Sequence, residues 1–202
     1  MKYRILPLGI LVAALVALSV FYFSRTEPIT NYPSQGTDII AFGDSLVVGD
    51  GSTNGNDFVS VLSRKIGRPI INLGHAGDTT VDGIARINQL DTYNPKIVLL
   101  LLGGNDYLKK IPVPDTRKNL ATLIQNIQAR GAIVLLLGVR GGLLMDRFDT
   151  EFENLQNAYH TAFVPNMLDG LLGNTQYMSD TVHPNNIGYE IIAERIYPVL
   201  IE

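Results

Sequence analysis

The alternation of short, almost wholly apolar runs with stretches of helical periodicity constrains this chain more than any other feature. The runs are Ile39–Phe42, Pro69–Leu73, Lys96–Leu102 and Ala132–Leu137, with a weaker fifth at Ala162–Val164. Between and after them, Phe58–Ile66, Thr79–Leu90, Asp115–Arg130, Thr150–His160 and Pro184–Leu200 place apolar residues at helical intervals. Leu120, Leu123, Ile124 and Ile127 illustrate the one-faced spacing, and Gly131 closes that helix directly before the next strand. Strands that are apolar throughout need cover on both faces, which points to a mostly parallel sheet between helical layers. The order therefore predicts an α/β fold: a single flavodoxin-like three-layer α/β/α domain with five strands, whose functional loops gather at the strands' carboxyl ends.

A chain of 202 residues with 46% hydrophobic content suits one such domain and a small appendage. Its formal net charge of −3, with no long run of either sign, gives no electrostatic footprint for nucleic acid. The absence of cysteine excludes disulfides, thiolate-bound metals and a cysteine nucleophile.

The appendage is the N-terminus. Ile5 to Phe23 runs for 19 residues without a charge, about 28 Å as a helix and close to a bilayer's hydrocarbon thickness. Lys2 and Arg4 precede it, so the positive-inside tendency keeps the N-terminus in the cytoplasm and sends the rest outward. The competing reading is a secretory signal cleaved near Ala17-Leu18-Ser19, which would leave Val20-Phe21-Tyr22-Phe23 as an apolar new terminus. A retained membrane helix over 1–23, a polar tether over 24–36 and a globular domain over 37–202 is the expected organisation, with the domain periplasmic or extracellular in either case.

Three polar loops follow the first three strands: "GDSLVVGDG" from Gly43, "GHAGDTT" from Gly74 and "GGNDYLKK" from Gly103. On a parallel sheet they share one edge. Far downstream, "SDTVHPNN" sets Asp180 three residues before His183, a spacing at which the carboxylate can fix the ring's tautomer. Ser45 supplies the hydroxyl that such a pair can activate. The backbone N–H groups of Ser45 and Gly77 and the side-chain amide of Asn105 are the available donors for the oxyanion formed on attack at an acyl carbon. Asp44 and Asp106 are expected to support turns and caps. His160 belongs to a polar helical stretch and is expected to be solvated, while His75 is placed to touch a ligand but lacks a near carboxylate at the spacing of Asp180 and His183. Leu143, Leu144 and Met145, after the fourth strand, and Tyr107 with Leu108, after the third, are candidates to line an acyl-chain pocket.

Gly43-Asp44-Ser45-Leu46, "GHAGDTT", "GGND" and "DTVHPN", in that order, resemble the SGNH, or GDSL, hydrolase family, in its compact bacterial subgroup of multifunctional thioesterases, lysophospholipases and arylesterases. The resemblance covers essentially Thr37 to the C-terminus. It implies Ser45 as nucleophile, His183 as base, Asp180 as its partner, and Gly77 and Asn105 as donors beside the Ser45 N–H. The expected activity is hydrolysis of a small acyl ester, thioester or lysophospholipid, with no metal or cofactor, by a monomer. Acyl transfer to an alcohol or sugar through the same residues is one alternative. A noncatalytic phosphate- or nucleotide-binding module is another, although neither G-x-G-x-x-G nor G-x-x-x-x-G-K-[ST] occurs.

Overall fold

The computed structural model of the protein describes residues 28–139 and 147–201. Five strands, β1 (Asp38–Gly43), β2 (Ile70–Gly74), β3 (Pro95–Leu101), β4 (Ile133–Leu137) and β5 (Ala162–Val164), form one sheet in the order β2-β1-β3-β4-β5. Every pairing in it is parallel. The helices are α1 (Ser45–Val48), α2 (Phe58–Ile66), α3 (Thr80–Arg86), α4 (Gly104–Leu108), α5 (Val113–Ala129), α6 (Arg147–Tyr159) and α7 (Asn186–Ile201). Helix α2 packs against α7, whereas α5 packs against α3 and α6. Sandwiched between helices, Ile40, Ala41 and Phe42 of β1 and Val98 to Leu101 of β3 are fully buried.

Local chemistry sets the helix boundaries. Asp57 caps α2 by accepting from the Ser60 N–H at 2.8 Å, and the helix ends where Gly67 turns left-handed at φ 65°. Thr79 and Asp82 form a reciprocal capping box at the start of α3. The spacing of Leu120, Leu123, Ile124 and Ile127 places all four on the buried face of α5. The helix expected over Thr79–Leu90 is instead α3 followed by a 3-10 turn at Ile87–Thr92. Helices α1 and α4, of four and five residues, have no counterpart in the periodicity because they are too short to repeat an apolar face.

The sheet order reverses direction between β1 and β3, and open parallel sheets form their crevice outside the carboxyl ends at such a point. The opposite, amino edge carries the start of the described chain. The stretch expected as a tether is held here from Thr30 onward. The Thr30 N–H donates to His160 O at 2.9 Å, Asn31 Nδ2 to Gln128 O and Ala132 O at 2.8 and 2.9 Å, and Ser34 Oγ to Gly131 O at 2.7 Å. These bonds satisfy carbonyls at the ends of α5 and α6, which is why a polar, proline-containing segment lies against the domain rather than standing off it. The 1–23 segment lies outside the described residues, and among the described residues no helix is long and apolar enough to cross a membrane.

Candidate active site

At the carboxyl end of β1, Asp44 takes the capping position of α1, its Oδ1 accepting from the Leu46 N–H at 3.0 Å. With capping assigned to Asp44, Ser45 becomes the first helical residue and its hydroxyl faces another partner. Ser45 Oγ lies 3.0 Å from His183 Nε2, across 138 positions of chain. His183 Nδ1 lies 2.8 Å from Asp180 Oδ2, and Asp180 Oδ1 accepts the N–H groups of Val182 and His183, each at 2.8 Å. An ionised carboxylate only accepts, so Nδ1 carries the hydrogen and Nε2 is left to accept from Ser45. The His183 contact and those two N–H bonds hold the Asp180 carboxyl down at about 2.

The loop bearing this pair is closed by the Ser179 N–H donating to His183 O at 2.8 Å and by an antiparallel bridge between Met178 and Pro184. Buried Tyr189, on α7, donates its hydroxyl to Asp50 O at 2.8 Å and stacks on Phe58. That contact ties the histidine-bearing end of α7 to the loop after α1. Gly51 in that loop has φ +90°, and a Cβ there would stand 2.5 Å from Pro184 O and 3.0 Å from His183 Cβ. Gly51→Ala is therefore expected to destabilise the fold by about 1–3 kcal/mol and slow turnover, read from thermal unfolding and initial rates.

The other two loops meet this one through α4. Asn105 Nδ2 donates to Asp78 O at 3.0 Å and lies 3.5 Å from Asp44 Oδ2, while Lys109 Nζ donates to Gly77 O at 3.0 Å. Gly77 has φ +83° and open space where a side chain would be. Asp106 is fully buried and accepts from the Thr80 N–H at 2.9 Å, the Thr80 hydroxyl at 2.5 Å and the Thr116 hydroxyl at 3.3 Å. It thus caps the neighbouring helix α3 rather than its own.

Asp44 is 3% exposed, and burial pushes its carboxyl up to about 7; Asp78 and Asp106 push the same way, against the Leu46 N–H and His183. The folded protein then binds more protons than the unfolded chain between its ordinary 3.8 and 7, so stability falls as pH rises through that window. The span corresponds to about 4 kcal/mol. Asp44→Asn keeps the cap's acceptor and cannot ionise. Its thermal midpoint should decline less than that of the unsubstituted protein between about pH 5 and pH 8, measured by calorimetry.

The three loops and the Asp180–His183 bend border an open pocket of about 360 Å³ lined by Ser45, Gly77, Asn105 and His183. Tyr107 and Leu108 border it, together with Leu46, Ala76, Val139, Leu168, Leu172 and Val182. Leu143, Leu144 and Met145 lie outside the described residues. Leu168 and Leu172 carry no sequence signal of a pocket, since a leucine four residues from another equally fits a core helix face.

The other two histidines make different contacts. His75 does have a carboxylate partner: its Nδ1 lies 2.9 Å from Asp78 Oδ1. The acid follows the histidine by three residues instead of preceding it, and the tight turn through Gly77 brings the two together. Asp78 is also paired with Arg86 Nε at 2.5 Å, and the His75 side chain is 72% exposed and is not among the residues that line the pocket. His160 is not on a solvated helix; it follows the end of α6 at φ +48°, half-buried against Thr30. Among the described residues no cluster of three or more His, Asp or Glu side chains is placed to hold a metal ion.

A hydroxyl, an imidazole and a carboxylate in one hydrogen-bonded line beside an apolar cavity is an arrangement able to carry out nucleophilic acyl chemistry. Comparison with known proteins points the same way. Esterase TesA of Pseudomonas aeruginosa is 29% identical over 174 residues, covering 80% of this chain and 87% of that protein. A crystal structure of TesA superposes with a TM-score of 0.75 at 28% identity, over 81% of this chain and 98% of the other. Thioesterase 1/protease 1/lysophospholipase L1 of Escherichia coli is 27% identical over 165 residues, 77% of this chain and 79% of that one. A solved SGNH-hydrolase family esterase shares 32% identity and a TM-score of 0.64, covering 83% of this chain and 97% of its own. Residues 41–191, which hold the Asp44 turn, both rim loops and the Asp180–His183 bend, match the model of the GDSL-like lipase/acylhydrolase family, and the chain belongs to that family.

Proposed function

We propose that this enzyme hydrolyses carboxylic esters or thioesters through an acyl-enzyme on Ser45. The observation that carries this reading is the unbroken line from Ser45 Oγ to His183 at 3.0 Å and on to Asp180 at 2.8 Å, opening on the apolar cavity. Ser45 Oγ attacks the acyl carbon while its proton passes to His183 Nε2. Asp180 stabilises the resulting imidazolium. The oxygen's negative charge is met by the N–H groups of Ser45 and Gly77 and by Asn105 Nδ2, where each donor of this kind contributes roughly 10²–10³ in turnover. His183 then protonates the departing alcohol or thiol, takes a proton from water as it attacks the acyl-enzyme, and returns that proton to Ser45 as the acid leaves.

The substrate is a small acyl ester, thioester or lysophospholipid whose acyl chain lies along Tyr107, Leu168 and Leu172. The names of the relatives, esterase, thioesterase and lysophospholipase, support this range. The enzyme works as a monomer without a cofactor, held by the 1–23 helix with its domain outside the cytoplasm. A fluorophosphonate probe tests the central step. Stoichiometric loss of esterase activity with an adduct on the Ser45 peptide is expected; full inactivation with the adduct on another residue would overturn the assignment.

A further inference from the structure

We infer that the amino edge of the sheet is a lipid-contacting face, so that the catalytic crevice opens away from the bilayer holding the N-terminal segment. The inference rests on the proposed membrane anchor, and three features of the described chain carry it further. The first is reach. Only four residues, 24–27, separate the apolar run from Pro28, about 14 Å at full extension, of which roughly 6 Å is needed to cross the head-group layer. From Thr30 to Thr37 the chain is then bonded across the amino ends of β5, β4 and β3, to His160 O, Ala132 O and Asn94 O. The seven residues of β3 alone separate that edge from the crevice by about 20 Å. While the amino edge is held this close, the crevice rim cannot turn to face the same bilayer.

The second feature is a groove of about 900 Å³ at the amino edge, between α7 and the sheet. Ile133, Phe163 and Leu200 form its apolar wall, and Pro28 and Ile29, the first described residues, form its lip. Thr161 also lines it, with a buried hydroxyl that lacks a hydrogen-bond partner among the described residues. The apolar wall suits a lipid acyl chain, and Thr161 with Gln156, Asn157 and His160, which also line the groove, offers polar partners to its ester and head group. The third feature is the surface around it: Ile29 is 37% exposed, Tyr32 62% and Ile201, next to Leu200, 57%. Tyrosine beside aliphatic side chains suits the membrane interface. The occupant is lipid because the polypeptide leaves the groove's own lip toward an apolar, bilayer-length run. It follows that the ester to be cleaved arrives from the aqueous side or from an opposing surface.

The chain has no cysteine, so single spin labels can be placed cleanly. Tyr32→Cys, Ile201→Cys and Leu108→Cys are labelled one at a time in the full chain, reconstituted in phosphatidylcholine and phosphatidylglycerol vesicles. Retention after carbonate extraction is checked first; release of the chain would overturn the anchor itself. In the retained protein, labels at 32 and 201 are expected to collide several-fold more with oxygen than with an aqueous nickel chelate, and the label at 108 to show the reverse. Retention with the label at 108 in lipid, or with all three in water, would overturn the orientation while leaving the anchor intact.

Discussion

Ser45→Ala is expected to lower kcat/KM for a short nitrophenyl ester by at least about 10⁴-fold with little change in thermal midpoint. The chemical argument is that alanine leaves His183 with no hydroxyl to deprotonate. The structural argument is that Ser45 is not the cap of α1: Asp44 holds that position through the Leu46 N–H, and alanine is a good first-turn helical residue. The hydrogen bond between Ser45 Oγ and His183, 3.0 Å long, is part-buried, so its loss perturbs activity far more than folding. His183→Ala should cost about as much, and the double substitution little more than either, because the two act as one unit. A loss below about tenfold in Ser45→Ala, with the fold intact, would place the nucleophile elsewhere.

The second large effect is expected from Asp180→Asn, which should reduce kcat by up to about 10⁴-fold. The asparagine carbonyl can still accept the Val182 and His183 N–H groups that Oδ1 accepts at 2.8 Å, so the bend should survive. Its amide, however, donates toward His183 Nδ1. The ring is then driven to the tautomer with the proton on Nε2, and Ser45 faces a donor where it needs an acceptor. The measurement is single-turnover acylation beside a melting curve: slow acylation at an unchanged midpoint fits a positioning carboxylate, whereas equal loss of both would make Asp180 a structural residue only. The carboxyl held at about 2, below its ordinary 3.8, also fixes the sign of the acid dependence. The folded state binds fewer protons in that window, so the pairing is fully present above about pH 4 and is lost as pH falls through 2.

Where local chemistry sufficed, the reading from residues holds closely. The bounds expected for α2 and β5 coincide with those of the folded protein, and Leu120, Leu123, Ile124 and Ile127 are all buried. The apolar runs marked a sheet covered on both faces because each strand carries that information in its own residues. The polar loops after β1, β2 and β3 were legible for the same reason. The short helices α1 and α4 were not, since fewer than two turns cannot express a period. Asp78 escaped as the partner of His75 because its neighbour Gly77 bends the chain back on itself, a conformation that residue order alone leaves open.

By itself the sequence determined the alternation of strands and helices, the chemical types gathered at the strands' carboxyl ends, and the acid–imidazole spacing of Asp180 and His183. Tertiary structure alone decided that His183 meets Ser45 across 138 positions, that Leu168 and Leu172 wall the cavity, and that burial drives Asp44's carboxyl up to about 7. It also decided that residues 30–37 bind the amino edge. Periodicity and turn chemistry act within a few residues, whereas these contacts depend on strand order and on which helix covers which face. Such features are settled only when the apolar surfaces of the whole chain are buried against one another.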